Sequence, residues 1–353
     1  MIASAAMAAS AIFIPIFALE KGINYFGIGL IQSSLALGSI LSYYIFGVLS
    51  DRTGERIKYV KFGYFVTSIA VASQLAMNSL LSFIIIQFLV GVSAGIYAFP
   101  LFSIAANLKN YKKEVSLLSA YTALGSFLGY VLATFLTSIW MLFVLSTILL
   151  MIAFYLSLSI PDVITAKKNV DLVPTTLLKK EKFVFLTNFL RHIGANFFWA
   201  VLTIYLLGLG ASKSWIALIS AVNPLGQFFF MRIEGEMVAN NYVNEKRLIF
   251  LGTSSATLVF IFYLIIPNIW FTLPIALLTS FAWSGLSIGS NLLLTSRNPE
   301  KASAGGLLGS ILGFSRVVGL AIGGLVAQVF GLDATLILAI VFCFISTLTS
   351  FLI

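Results

Sequence analysis

Gly47-Val48-Leu49-Ser50-Asp51-Arg52-Thr53-Gly54-Glu55-Arg56-Ile57-Lys58 is an island of charge between two long apolar runs. Asp51, Arg52, Glu55, Arg56, Lys58 and Lys61 all ionise, and two glycines, Gly47 and Gly54, frame the turn. A short turn between two membrane-length helices needs charge to stay in water. It does not need this order of residues, so the order carries information.

The rest of the chain is far greasier. Of its 353 residues, 60% are hydrophobic and only 9% are charged, with a mean hydropathy of +1.05. A soluble domain carries about 25% charged residues, so this chain cannot cover itself with a solvated surface. Its solvent is lipid. The net charge of +9 would suggest nucleic acid in a soluble protein. Here the basic residues sit in short loops and record membrane orientation instead, so no nucleic-acid partner is expected. The single cysteine, Cys343, excludes an internal disulfide and a cysteine-cluster metal site. Neither a metal nor another cofactor is expected. Residues 1–19 are apolar but lack a basic leader and a cleavage site. They read as a first membrane helix beginning almost at Met1, as a clipped chain start would.

A helix needs about 20 mostly apolar residues to cross a bilayer. Twelve segments qualify: 2–19, 27–50, 60–78, 80–106, 115–137, 139–160, 183–207, 213–231, 248–267, 269–295, 303–329 and 333–352. These runs are too long for the roughly 10-residue strands of a membrane barrel. Interior Pro15, Pro100, Pro224 and Pro274 suit membrane helices better than soluble ones. Alternate loops hold 17 of the 21 basic residues, whereas the loops between them hold only Lys21 and Lys213. That asymmetry places both termini in the cytoplasm. Trp140, Trp215 and Trp270 fall at the opposite ends, where an aromatic belt is expected. The connection 161–182 divides the chain into residues 1–160 and 183–353. The fold class expected is an all-α membrane protein, with twelve transmembrane helices in two six-helix bundles joined by a cytoplasmic linker.

With that framework the opening stretch becomes specific. It resembles the signature between helices 2 and 3 of the major facilitator superfamily, matching at Gly47, Leu49, Asp51, Arg52, Gly54 and Arg56. Glu55 departs, since the family has a basic residue there. The resemblance implies that Asp51 and its basic neighbours bridge to the cytoplasmic start of helix 11, as part of a conformational switch. Independently of it, Asp51 can accept hydrogen bonds from a helix N-terminus, and Arg52 and Arg56 can hold a carboxylate or anionic headgroups. A loop that merely enforces orientation needs neither Asp51 nor the glycines. Glu234 or Glu236, after helix 8, is the place where an echo of Asp51 is expected. In helix 4 the family's R-x-x-x-G reads Gln87-Phe88-Leu89-Val90-Gly91. In helix 5, Gly125 and Gly129 lack the proline that antiporters carry. Both departures weigh against a drug–proton antiporter.

No Asp or Glu lies in the middle of a span, and Glu234 and Glu236 count among the loop residues. The candidate substrate or coupling residues are Asn188, Arg191, His192, Asn196, Trp199, Trp283 and Arg316. Asn188, Arg191 and Asn196 can share one helix face. A charge at bilayer depth costs about 2.5–3.5 kcal/mol, so Arg191 and Arg316 should face the protein interior. Arg191 either lines an anion-tolerant cavity, belongs to the cytoplasmic gate or snorkels. Arg316, beside Gly319, suits a structural role between helices. His192 could titrate near physiological pH or simply pack. Tyr97, Tyr121, Gln74 and Asn291 are further cavity candidates, with helix packing as the competing reading.

These residues describe a transporter of a small organic solute across the cell membrane, a multi-pass monomer working by alternating access. The alternative is a transporter-like receptor, sensor or lipid flippase without solute flux. An enzyme would need a cluster of nucleophile, acid–base or metal ligands, which one histidine and one cysteine do not supply. No phosphate-binding loop for ATP is present.

Overall fold

A computed structural model describes residues 1–23, 25–136, 138–161, 175–199, 201–211 and 213–353. The apolar runs are helices: α1 Ile2–Ala11, α2 Ile14–Glu20, α3 Tyr25–Thr53, α4 Arg56–Ala72, α5 Leu80–Ala106, α6 Tyr111–Phe135 and α7 Ile139–Leu158. They continue as α8 Thr175–Lys180, α9 Lys182–Trp199, α10 Leu202–Gly208, α11 Lys213–Ala239, α12 Glu245–Leu264, α13 Thr272–Arg297, α14 Lys301–Phe330 and α15 Leu332–Ser350. No strand occurs among the described residues. Among the described residues, eight helices are long and apolar enough to cross a membrane.

The expected twelve continuous spans are not reproduced as such. The first breaks into α1 and α2 ahead of Pro15. A proline has no N–H to donate to the carbonyl four residues back, here that of Ala11. Ala11 is where α1 ends. The seventh span is α9 followed by α10. The eighth runs past residue 231 to Ala239, which carries Glu234 and Glu236 out of the expected loop and into a helix. Of the expected 161–182 connection, residues 162–174 lie outside the described residues, and its tail is α8 and the start of α9.

Helix starts follow the local chemistry. Ser79 and Ser82 form a reciprocal capping box at α5, and Asn244 Oδ1 accepts from the Arg247 N–H at α12. These satisfy donors that a helix cannot pair internally. Within lipid every polar group needs a partner. Thr67 donates to the Gly63 carbonyl at 2.7 Å and Ser346 to the Thr187 carbonyl of α9 at 2.7 Å. The exterior is correspondingly apolar: Phe62, Ile69, Leu81, Ile85, Phe344 and Leu348 are all exposed.

The helices pack in two groups. In the first, α1, α3, α4, α5, α6 and α7 contact one another, around a core that includes Phe17, Phe83 and Phe143. In the second, α9, α11, α12, α13, α14 and α15 do so, around Phe198, Phe260 and Tyr263. Two pairings dominate the boundary, α3 with α14 and α6 with α11.

Candidate functional site

At the boundary between the groups the opening stretch meets α14. Gly54 has φ +72°, a left-handed conformation that suits glycine. It ends α3 through its N–H on the Ser50 carbonyl at 3.0 Å. That turn sends the chain into α4 with Asp51 and Arg56 side by side. Both are fully buried, and Arg56 Nη2 lies 3.1 Å from Asp51 Oδ1. Asp51 Oδ2 accepts two hydrogen bonds from Ser303 at 2.9 Å, one from its N–H and one from its Oγ. Ser303 is the third residue of α14, whose N-cap Glu300 makes no side-chain cap. A carboxylate from the other group thus caps this helix where its dipole favours negative charge. Gly47 permits the approach, because a Cβ there would stand 2.7 Å from the Ala302 carbonyl oxygen.

The remaining motif residues divide. Leu49 is half-buried, Arg52 is exposed, and exposed Glu55 pairs with Lys58 at 2.9 Å. Sequence reasoning missed two further bridges between the groups. Lys112 of α6 pairs with Glu245 of α12 at 3.0 Å. Lys301 of α14 donates to the Ala106 carbonyl and sits over the Tyr111 ring, 5.1 Å from its centroid. All involve residues of the basic loops or beside them, so the groups are closed at that end. Glu234 and Glu236 do not echo Asp51. Glu234 bonds Ser284 of its own group at 3.0 Å, and Glu236 lies 3.8 Å from Arg232 on its own helix.

Deeper between the groups lie two adjoining cavities of about 750 and 430 Å³. Tyr43, Phe99, Trp283 and Arg316 line both. Arg316 is exposed to this space, and no hydrogen bond or carboxylate engages it among the described residues. The lining contains no Asp or Glu. Asn188 and His192 line the smaller cavity. The His192 ring lies 4.9 Å from that of Trp283. Behind that tryptophan is Arg191, only 4% exposed, its guanidinium 5.4 Å from the ring centroid. Arg191 therefore sits in the interior, one aromatic ring away from the cavity.

Asn196 and Trp199 line neither cavity. Asn196 donates to the His192 carbonyl at 2.7 Å, and Trp199 packs on Phe198, Phe260 and Tyr263. Of the further candidates, Tyr97 and Asn291 line the space, whereas Gln74 and Tyr121 do not. Sequence reasoning missed Gln32, Tyr43, Tyr130 and Gln227. Gln32, Leu35, Ala36, Ser39 and Tyr43 all line the cavities, and their spacing is that of one helical face. That stripe was the available signal.

The chain belongs to the major facilitator superfamily: the family's model matches residues 1–300. It is a multi-pass membrane protein and a transporter of small solutes. Among solved structures, the human organic anion transporter MFSD10 is similar with a TM-score of 0.81, at 14% identity, covering 99% of this chain and 96% of that one. The nucleoside transporter NupG is similar with a TM-score of 0.70 at 12% identity, over 99% of this chain and 96% of that one. No curated protein sequence matches.

Proposed function

We propose that this protein carries small organic anions across the cell membrane by alternating access between a bundle at 1–160 and a bundle at 183–353. Residues 161–182 join the bundles in the cytoplasm, both termini are cytoplasmic and the protein works as a monomer. The observation that carries the substrate class is Arg316, a guanidinium facing a cavity whose lining holds no carboxylate. A guanidinium in such a space attracts a carboxylate, sulfonate or phosphate group, and binds it bidentately. Tyr64, Tyr97, Phe99 and Trp283 in the same lining suit an aromatic or apolar solute body. The similarity to an organic anion transporter agrees with this reading. The Asp51–Ser303 contact closes the basic-loop end, which supports an outward-facing state with Asp51 as its latch.

Arg316→Gln in proteoliposomes tests the substrate class. Uptake of labelled aromatic carboxylates is expected to weaken by about 1.5–3 kcal/mol of binding, roughly 10- to 100-fold in apparent affinity. Arg316→Lys should recover part of it, while Arg191→Gln, behind Trp283, should cost less. Anion uptake unchanged in Arg316→Gln, or a solute panel in which only cations are carried, would overturn the reading.

A further inference from the structure

Glu234 is a buried acid that the transport reading leaves unused. It lies in α11 and is 3% exposed. Its Oε1 is 3.0 Å from Ser284 Oγ, and that hydroxyl is also 3.1 Å from the Phe281 carbonyl oxygen. A hydroxyl has one proton to give. When Ser284 gives it to Phe281, only a lone pair is left facing Glu234. A carboxylate cannot use that lone pair, but a protonated carboxyl can donate to it. The second oxygen, Oε2, is buried with no hydrogen-bond partner among the described residues. An ionised group there would keep an unsatisfied charge, and a neutral one loses far less by burial.

No neighbouring charge compensates it. On α6 the ionisable groups at this end are Lys112, Lys113 and Glu114, and Lys112 is held by Glu245. On α12 they are Glu245, Lys246 and Arg247. On α13 there is Arg297, which pairs with Glu181 at 3.2 Å. On α11 itself Arg232 faces Glu236, and Lys213 begins the helix. Among the described side chains, none of these forms a hydrogen bond or ion pair with Glu234.

The placement adds a reason to move the proton. Ser220, Gln227 and Met231 of α11 line the larger cavity, and Glu234 follows Met231 by about one turn. The next residue, Gly235, is where α11 touches α6: a Cβ there would overlap Ser116. The cavity thus comes within about one turn of Glu234, while at the basic-loop side the α6–α11 contact at Gly235 and Ser116 stands between this segment and water until the two groups part.

We propose that Glu234 is a proton-binding site that couples proton movement to the opening of the α6–α11 contact. It takes a proton from water of the cavity while the contact is closed, and gives it to water at the basic-loop end when the contact opens. This rests on the alternation of the two bundles proposed above, but not on the anion. Because the closed form binds the proton more tightly, acid favours closure, and closure is lost as pH rises.

Two readouts on the full-length protein in detergent test it, with no solute present. In the infrared spectrum at neutral pH, the wild type should show a protonated-carboxyl C=O band that Glu234→Gln removes. Ser284→Ala, which keeps the acid, should move the band to higher frequency by removing its hydrogen bond. Spin labels on Lys113→Cys and Tyr242→Cys, both at exposed positions, flank the contact. Their separation should widen as pH rises in the wild type and stay short in Glu234→Gln. A missing band, or the same pH response in both proteins, would overturn the proposal. Neither outcome touches the anion reading, which Arg316→Gln decides.

Discussion

Asp51→Ala is expected to lower the solute uptake rate by roughly 100- to 1,000-fold while leaving binding from the cavity side nearly intact. The alanine takes the carboxylate away from the buried Arg56 guanidinium and removes the acceptor of both Ser303 bonds. Breaking a buried pair by deleting one partner costs about 3–5 kcal/mol, and each 1.4 kcal/mol is tenfold in an equilibrium. The two Ser303 bonds are lost from the closed state alone, because only there do α3 and α14 meet, whereas the Asp51–Arg56 pair lies within the first group. Asp51→Asn keeps an acceptor but loses the charge, so its effect should be smaller and of the same sign. Uptake kinetics in proteoliposomes alongside binding calorimetry would check this. Equal losses in rate and affinity would place Asp51 in solute binding instead, and no loss in either would leave the stretch a mere orientation signal.

Gly91→Val is expected to cost the fold itself. Gly91 of α5 faces the backbone of α3, and a Cβ would overlap the Leu35 carbonyl oxygen. Backbone cannot swing aside as a side-chain tip can. Overpacking a close-packed interior costs about 1–3 kcal/mol and occasionally more, and here α3 must move as a body. The same helix carries Asp51, so the boundary contact shifts with it. Thermal unfolding in detergent should show a clear drop in Tm, and Gly91→Ala should fall between the two. A wild-type Tm for Gly91→Val would mean that α3 and α5 are free to separate.

How much of this could be read beforehand depends on which forces act locally. The all-helical membrane architecture was legible because hydropathy and loop charge are summed over many residues. The Asp51–Arg56 turn was legible because Gly54 and the charges around it sit within one short stretch. Helix ends were less so. The break before Pro15 follows from the N–H that a proline lacks, but α11 continues to Ala239 through a polar segment because its buried face packs on α6 and α13. No window of sequence reports that partner. Glu234 was misplaced for this reason, as a loop residue exposed to water. The two readings of Arg316, cavity residue or link between helices, were open for a related reason: its neighbour Gly319 does pack closely, against Asn196, while Arg316 lines the cavity. Adjacent helix positions point in different directions, and only the packing of the second group decides which way each looks.

α14 has no side-chain cap of its own and borrows one from Asp51, a residue 252 positions away. An ordinary cap protects its helix whenever the helix is folded. This one protects only while the two halves of the chain embrace, so each opening returns the Ser303 amide to solvent. Deuterium uptake at that single amide should therefore run at the pace of the opening motion, slow where the bundles are held together and quick where they are not. The first turn of α14 is thus a built-in clock for the molecule's breathing, readable without any solute, label or substitution.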